Sequence, residues 1–86
     1  MVIKYSKSAL RFLSKLDEKS VSRIRKAISG LVNVPPDGDI KLLKGYDDER
    51  KRLRVGAWRI IFKYSTEGRI EILYILDIGN RGDIYK

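Results

Sequence analysis

The sequence predicts an α+β domain: an N-terminal strand and an α-helical hairpin packed on one face of a mainly antiparallel twisted sheet. Three observations predict it. Apolar residues recur at helical spacing at Val21, Ile24, Ile28 and Leu31. Two prolines and an Asp37-Gly38 turn break the chain between Asn33 and Asp39. From Arg50 to Tyr64 the run RKRLRVGAWRIIFKY alternates like two strands joined at Gly56-Ala57. The 86 residues suffice for one domain, residues 1–86, with a modest core, and the 43% hydrophobic content marks it as globular.

Taken in order, Val2-Ile3-Lys4-Tyr5 is a short strand. Ser6 can cap a helix running through Asp17, with Ala9, Leu10, Phe12, Leu13 and Leu16 as its apolar stripe. Asp17 can cap a second helix, whose other face carries Lys19, Arg23, Arg25 and Lys26 and reads mainly as a solubilising surface. After the proline break, Ile40 to Leu43 begin the sheet and Lys44-Gly45 is a further turn. Thr66-Glu67-Gly68 marks a second hairpin turn, of two or three residues, and that choice decides which face of the next strand meets the helices. The next strand, Arg69 to Ile78, is apolar on both faces and is expected at the centre of the sheet. Gly79 to Asp83 reads as a turn and Ile84-Tyr85 as a last short strand.

Glycine at the first position suits a two-residue type II′ turn at Gly56-Ala57. Val55 then faces Trp58, Arg54 faces Arg59, Leu53 faces Ile60, Arg52 faces Ile61, Lys51 faces Phe62 and Arg50 faces Lys63. One face holds Leu53, Val55, Trp58, Ile60, Phe62 and the stem of Lys51, and the helices are expected to cover it. The other face holds Arg50, Arg52, Arg54, Arg59 and Lys63 around Ile61 and is left open. Like charges directly opposite cost about 0.2–1 kcal/mol per pair. Residues 50–63 contain no acid to relieve the pairs Arg54–Arg59 and Arg50–Lys63. A solvated charged face usually mixes Glu with Lys; four arginines on one side favour a phosphate-binding surface over a merely solvated one.

The net charge of +8 points to an acidic partner, whether nucleic acid, an anionic membrane or an acidic protein. No apolar run approaches the ~20 residues of a spanning helix and the N-terminus has no signal-peptide core, so a cytoplasmic protein with no membrane partner is expected. The chain has neither His nor Cys. That removes the usual general base, the Cys nucleophile and a zinc site, and leaves chemistry to Arg, Lys, Tyr, Asp, Glu and Ser. Trp58, Phe62 and Tyr74 are expected to pack inside.

One ordered set of segments has a family likeness: Leu43-Lys44-Gly45, then Leu53-Arg54-Val55-Gly56-x-Trp58-Arg59-Ile60-Ile61-Phe62, then Ile78-Gly79-Asn80-Arg81-Gly82-Asp83-Ile84-Tyr85. In these pieces, over nearly the whole chain, the sequence resembles the RelE/ParE superfamily of toxins from type II toxin–antitoxin pairs, in its RelE-like branch. The resemblance implies a ribosome-dependent endoribonuclease that cuts messenger RNA in the A site by 2′-hydroxyl attack and stops translation. It also implies a cognate antitoxin, contact with ribosome, mRNA and ribosomal RNA phosphates, and neither metal nor small-molecule cofactor. By motif, Arg52, Arg59 and Arg81 would stabilise transition-state charge and Tyr85 would be the base, its phenol lowered by neighbouring cations. Read from the residues alone, Tyr85 is an edge aromatic and Arg81 a turn residue. Arg50, Lys51, Arg54 and Lys63 are the RNA-binding set, with Arg54 equally suited to a structural role. The family often has lysine where this chain has Arg50 and Arg52, and arginine transfers protons poorly. After Lys86 there is no counterpart of the C-terminal helix that some members carry. Two other readings remain: a ParE-like non-enzymatic toxin that inhibits DNA gyrase, and a non-catalytic RNA-binding module.

Overall fold

Ser6 joins the helical layer to the sheet. In the computed structural model, which describes residues 1–80, it sits in extended conformation between β1 (Val2–Tyr5) and α1 (Lys7–Ser14). Its Oγ accepts the Ala9 N–H at 3.0 Å as an N-cap and donates to the Leu76 carbonyl at 2.8 Å. The helix is shorter than the sequence suggests. Asp17 takes extended φ and ψ as the N-cap of α2 (Glu18–Ser29), so the chain must leave helical geometry before it. Leu10 does not join the apolar stripe and is 47% exposed. Ala9, Leu13 and Leu16 already define the inward line, and Leu10 is turned about 100° away from it.

α2 buries Ile24 and Ile28 and runs into a 3₁₀ turn, Gly30–Val32, that buries Leu31. The prolines then turn the chain back. The Asp37 N–H donates to the Gly30 carbonyl at 3.0 Å, and Asn33 Nδ2 donates to Asp37 Oδ2 at 2.6 Å. Gly38, at φ 116°, lies so close to the sheet that a Cβ on it would stand 2.5 Å from Leu53 Cδ1.

β2 (Asp39–Leu42), β3 (Lys51–Val55), β4 (Trp58–Glu67) and β5 (Ile70–Asn80) complete a sheet of order β1-β5-β4-β3-β2. Among the described strands, only β1 and β5 run parallel. The β3–β4 register is the one alternation predicts, from Val55↔Trp58 to Lys51↔Phe62, and Gly56 has the positive φ of 58° that the turn needs. The second hairpin closes through Gly68-Arg69, because Glu67 pairs with Ile70. This two-residue loop turns Leu73 and Ile75 toward the helices and Tyr74 away from them.

Two expectations for β5 are corrected. It lies second in the order, beside the central β4, because β2 adds a second strand beyond β3. It runs on through Gly79 and Asn80, which pair with Arg59 and Trp58 where a turn was expected. A β-bulge at Leu76 also breaks its alternation: Ile61 pairs with Asp77 and Phe62 with Ile75. Strict alternation would carry Asp77 into the core and Ile78 out of it. The bulge exchanges them, so Ile78 joins the core and Asp77 accepts Ser8 Oγ at 2.9 Å. The core unites Ala9, Leu13, Ile24, Ile28 and Leu31 with Leu53, Ile60, Phe62, Leu73, Ile75 and Ile78. At about 1.5–3 kcal/mol for each large aliphatic or aromatic side chain buried, this one layer drives folding. The expected last turn and last strand, with Arg81 and Tyr85, lie outside the described residues.

Candidate functional site

The face of the sheet away from the helices is basic. Arg52 and Arg54 of β3 and Arg59 and Lys63 of β4 share it with Ile61, while Leu53, Ile60 and Phe62 point into the core. β2 extends this face, because Lys41 pairs with Arg52 and Asp39 with Arg54. Lys41, Leu42, Leu43, Lys44, Arg52 and Arg59 line a cleft of about 610 Å³. Four cations around one cleft of this size suit a polyanion.

The cations are ordered by two carboxylates, Asp39 at the start of β2 and Asp48 in the loop before β3. Arg52 Nη1 donates to the Asp39 carbonyl at 3.3 Å and lies 3.4 Å from Asp39 Oδ1, with 11% of its side chain exposed. Arg50 holds Asp48 in a two-pronged contact, Nε to Oδ1 at 3.0 Å and Nη2 to Oδ2 at 2.8 Å. Its guanidinium also lies 4.2 Å from the centre of the Tyr46 ring. Lys63 Nζ reaches the same Asp48 Oδ2 at 3.7 Å. The hydrogen bond from Arg50, with its charge and that of Lys63, lowers the Asp48 carboxyl to about 2. The same hydrogen bond raises Arg50.

The expected repulsion between Arg50 and Lys63 is therefore relieved. The β3 strand begins at Lys51, Glu49 adopts φ 56°, and the turn brings Asp48 between the two cations. Arg54 pairs with Arg59 in the ladder but does not line the cleft. Lys51 lies on the other face: its Nζ donates to the Glu49 carbonyl at 3.3 Å and sits 5.6 Å from the Tyr64 ring centre. Of the residues singled out in the sequence, the cleft joins Arg52 and Arg59, with Arg50 and Lys63 linked through Asp48. Arg81 and Tyr85 lie outside the described residues.

Tyr74 is not inside. It stands half-buried on the basic face, with its hydroxyl donating to Glu67 Oε1 at 2.7 Å, a contact that raises its pKa. The ammonium groups of Lys4 and Lys63 approach its ring to 6.0 and 5.9 Å. The α2 cations are not all given over to water either, since Arg23 lies 5.4 Å from the Trp58 ring and Arg25 5.6 Å from the Tyr5 ring. Lys41 and Lys44 were missed in the sequence. Had β2 been paired with β3, the alternation of Asp39 and Lys41 would have placed Lys41 beside Arg52.

Among the described residues no helix is long and apolar enough to cross a membrane. No curated protein matches the chain. Among solved structures, the archaeal RelE–RelB complex from Pyrococcus horikoshii OT3 is similar at 27% identity and TM-score 0.70, over 95% of this chain and 96% of that one. The RelB–RelE antitoxin–toxin complex from Methanococcus jannaschii is similar at 25% identity and TM-score 0.66, over 95% and 94%. The YoeB/ParE toxin from Agrobacterium tumefaciens shares the fold at 20% identity and TM-score 0.77, over 94% and 99%. A family model described as the ParE toxin of the type II toxin–antitoxin system parDE matches residues 3–85. The chain belongs to this toxin family, within the RelE/ParE superfamily.

Proposed function

We propose that this toxin is a metal-independent endoribonuclease that cuts messenger RNA in the ribosomal A site. The observation that carries the reading is the cleft in which Arg52 and Arg59 converge with Lys41 and Lys44. Cleavage by the neighbouring 2′-hydroxyl forms a bond from the 2′-oxygen to phosphorus and breaks the bond to the 5′-oxygen. It leaves a 2′,3′-cyclic phosphate and a 5′-hydroxyl. Charge on the phosphorane-like transition state grows on the non-bridging oxygens, where preorganised guanidinium groups act most strongly. Arg52 and Arg59 take that role, joined by Arg81, with Tyr85 accepting the 2′-proton. Arg50 and Lys63, with Arg54 opposite Arg59 at the turn end of the hairpin, position flanking phosphates, which compete with Asp48 for Arg50. Lys51 serves the RNA only indirectly, from the other side of the strand.

The chain holds no histidine to act as a strong base at neutral pH. A large part of the rate then comes from imposed alignment of the RNA, which a ribosome supplies. This reading also makes the cytoplasm the place of action. The archaeal relatives crystallised with RelB support a cognate antitoxin for this chain, whose acidic side chains would occupy the same basic face.

The test is primer extension on a message held in purified translating ribosomes. The wild-type protein should give a discrete A-site cut. Arg52→Ala and Arg59→Ala, checked for native circular dichroism, should each slow it by about a hundredfold or more. The match to the ParE family favours one other reading, inhibition of DNA gyrase without RNA cleavage. Loss of gyrase supercoiling activity with an intact message would establish that reading in place of the ribonuclease.

A further inference from the structure

We propose that Lys41 is the general acid of this reaction, donating the proton that the departing 5′-oxygen needs. The inference rests on the ribonuclease reading above. Two protons move in the reaction: one leaves the 2′-hydroxyl and one must reach the 5′-oxygen, which is a poor leaving group as an alkoxide. A guanidinium stabilises charge but does not give up a proton at accessible pH, so Arg52 and Arg59 cannot fill that role. An ammonium can.

Of the lysines on the basic face, position favours Lys41. It stands directly opposite Arg52 in the β2–β3 ladder, where paired side chains are about 4.5–5.5 Å apart at Cβ, and it lines the cleft with Arg59. Its strand is anchored on both sides. Asp39, two residues earlier, is held by Arg52, and the Leu43 N–H, two residues later, donates to the Arg50 carbonyl at 3.1 Å. Lys44 lines the same cleft but sits in the turn before Gly45, whose φ is 89°. Lys63 is drawn toward Asp48, and Lys51 faces the helices. Lys41 therefore supplies, from the neighbouring strand, the transferable proton that arginine at positions 50 and 52 does not. In the step, the bond from phosphorus to the 5′-oxygen breaks as the Lys41 ammonium protonates that oxygen. The amine left behind recovers its proton from water.

A message with one 5′-bridging sulfur at the cut position tests this, because a thiolate leaves without protonation. Single-turnover rates on ribosomes are compared for wild type, Lys41→Arg and Lys41→Ala, each first shown to melt like wild type. On the oxygen linkage both variants should lose about a hundredfold or more, and on the sulfur linkage both should return to within about threefold of wild type. Equal losses on the two linkages would make Lys41 a charge or packing contact and overturn the proposal. A Lys41→Arg enzyme as fast as wild type on the oxygen linkage would overturn it too. Both results leave the ribonuclease reading standing, whereas a wild-type protein that cuts neither linkage removes both.

Discussion

Alanine at Gly38 tests how the proline loop is seated on the sheet. Its φ of 116° strains any residue with a Cβ, and that Cβ would meet Leu53 Cδ1 at 2.5 Å. Backbone strain of this kind costs about 1–3 kcal/mol. Overpacking against a side chain only 1% exposed adds about 1–3 kcal/mol, and the stiffer unfolded chain returns about 0.4–1 kcal/mol. Gly38→Ala should therefore destabilise by about 2–5 kcal/mol. Gly45 is the control, because its φ of 89° is also positive but nothing lies within 4 Å of its added Cβ. Gly45→Ala should show the strain alone, about 1–2 kcal/mol. Leu53→Ala removes the obstructing methyl at a cost of about 2–5 kcal/mol, so the double variant Gly38→Ala/Leu53→Ala should recover about 1–3 kcal/mol against the sum. Urea unfolding followed by circular dichroism measures all four proteins. Gly38→Ala no worse than Gly45→Ala, or a double variant additive within about 0.5 kcal/mol, would refute the close approach.

Two other outcomes follow from single contacts. Ser6→Ala loses the cap on Ala9 and the bond to the Leu76 carbonyl, which should cost about 2 kcal/mol and lower the Tm by about 8–16 °C in a scanning melt. A fall of under about 2 °C would show that neither bond matters. Asp48, held down to about 2 by Arg50, is charged in the fold at pH values where an unfolded aspartate begins to protonate. Its contribution is complete above the ordinary aspartate value, is lost as pH falls through about 2, and should be absent from Asp48→Asn. A wild-type minus Asp48→Asn stability difference that is flat from pH 5 to about 2 would contradict the pairing.

The hairpin was legible because three signals agree there: alternation, a glycine where the turn needs positive φ, and an apolar set large enough to punish a slipped register. The second helix was legible for a similar reason, because Val21, Ile24, Ile28 and Leu31 are spaced by three, four and three residues, a mixture that a helix brings to one side and a strand does not. The β5 strand resisted because it is apolar on both faces, so alternation could not choose between registers, and the bulge at Leu76 follows neither. The ion pairs resisted for a different reason. Asp48 is two residues from Arg50, and only the turn at Glu49 makes that separation a contact. Lys41 was hidden by tertiary pairing: nothing near it in sequence reveals that β2 lies beside β3 with Arg52 as its neighbour.

The parallel pairing of β1 with β5 also sets a clock. Val2 finds its partner in Ile72, and the cap at Ser6 finds its carbonyl at Leu76, so the first strand and first helix wait for β5. At about 5–20 residues per second, seventy residues of further synthesis take about 4–14 s. During that interval the N-terminal segment has no sheet to join, and the basic face, which needs β3 and β4 flanked by their neighbours, is unfinished. The two ends of the described chain thus meet last, and the sheet closes only once β5 has been made.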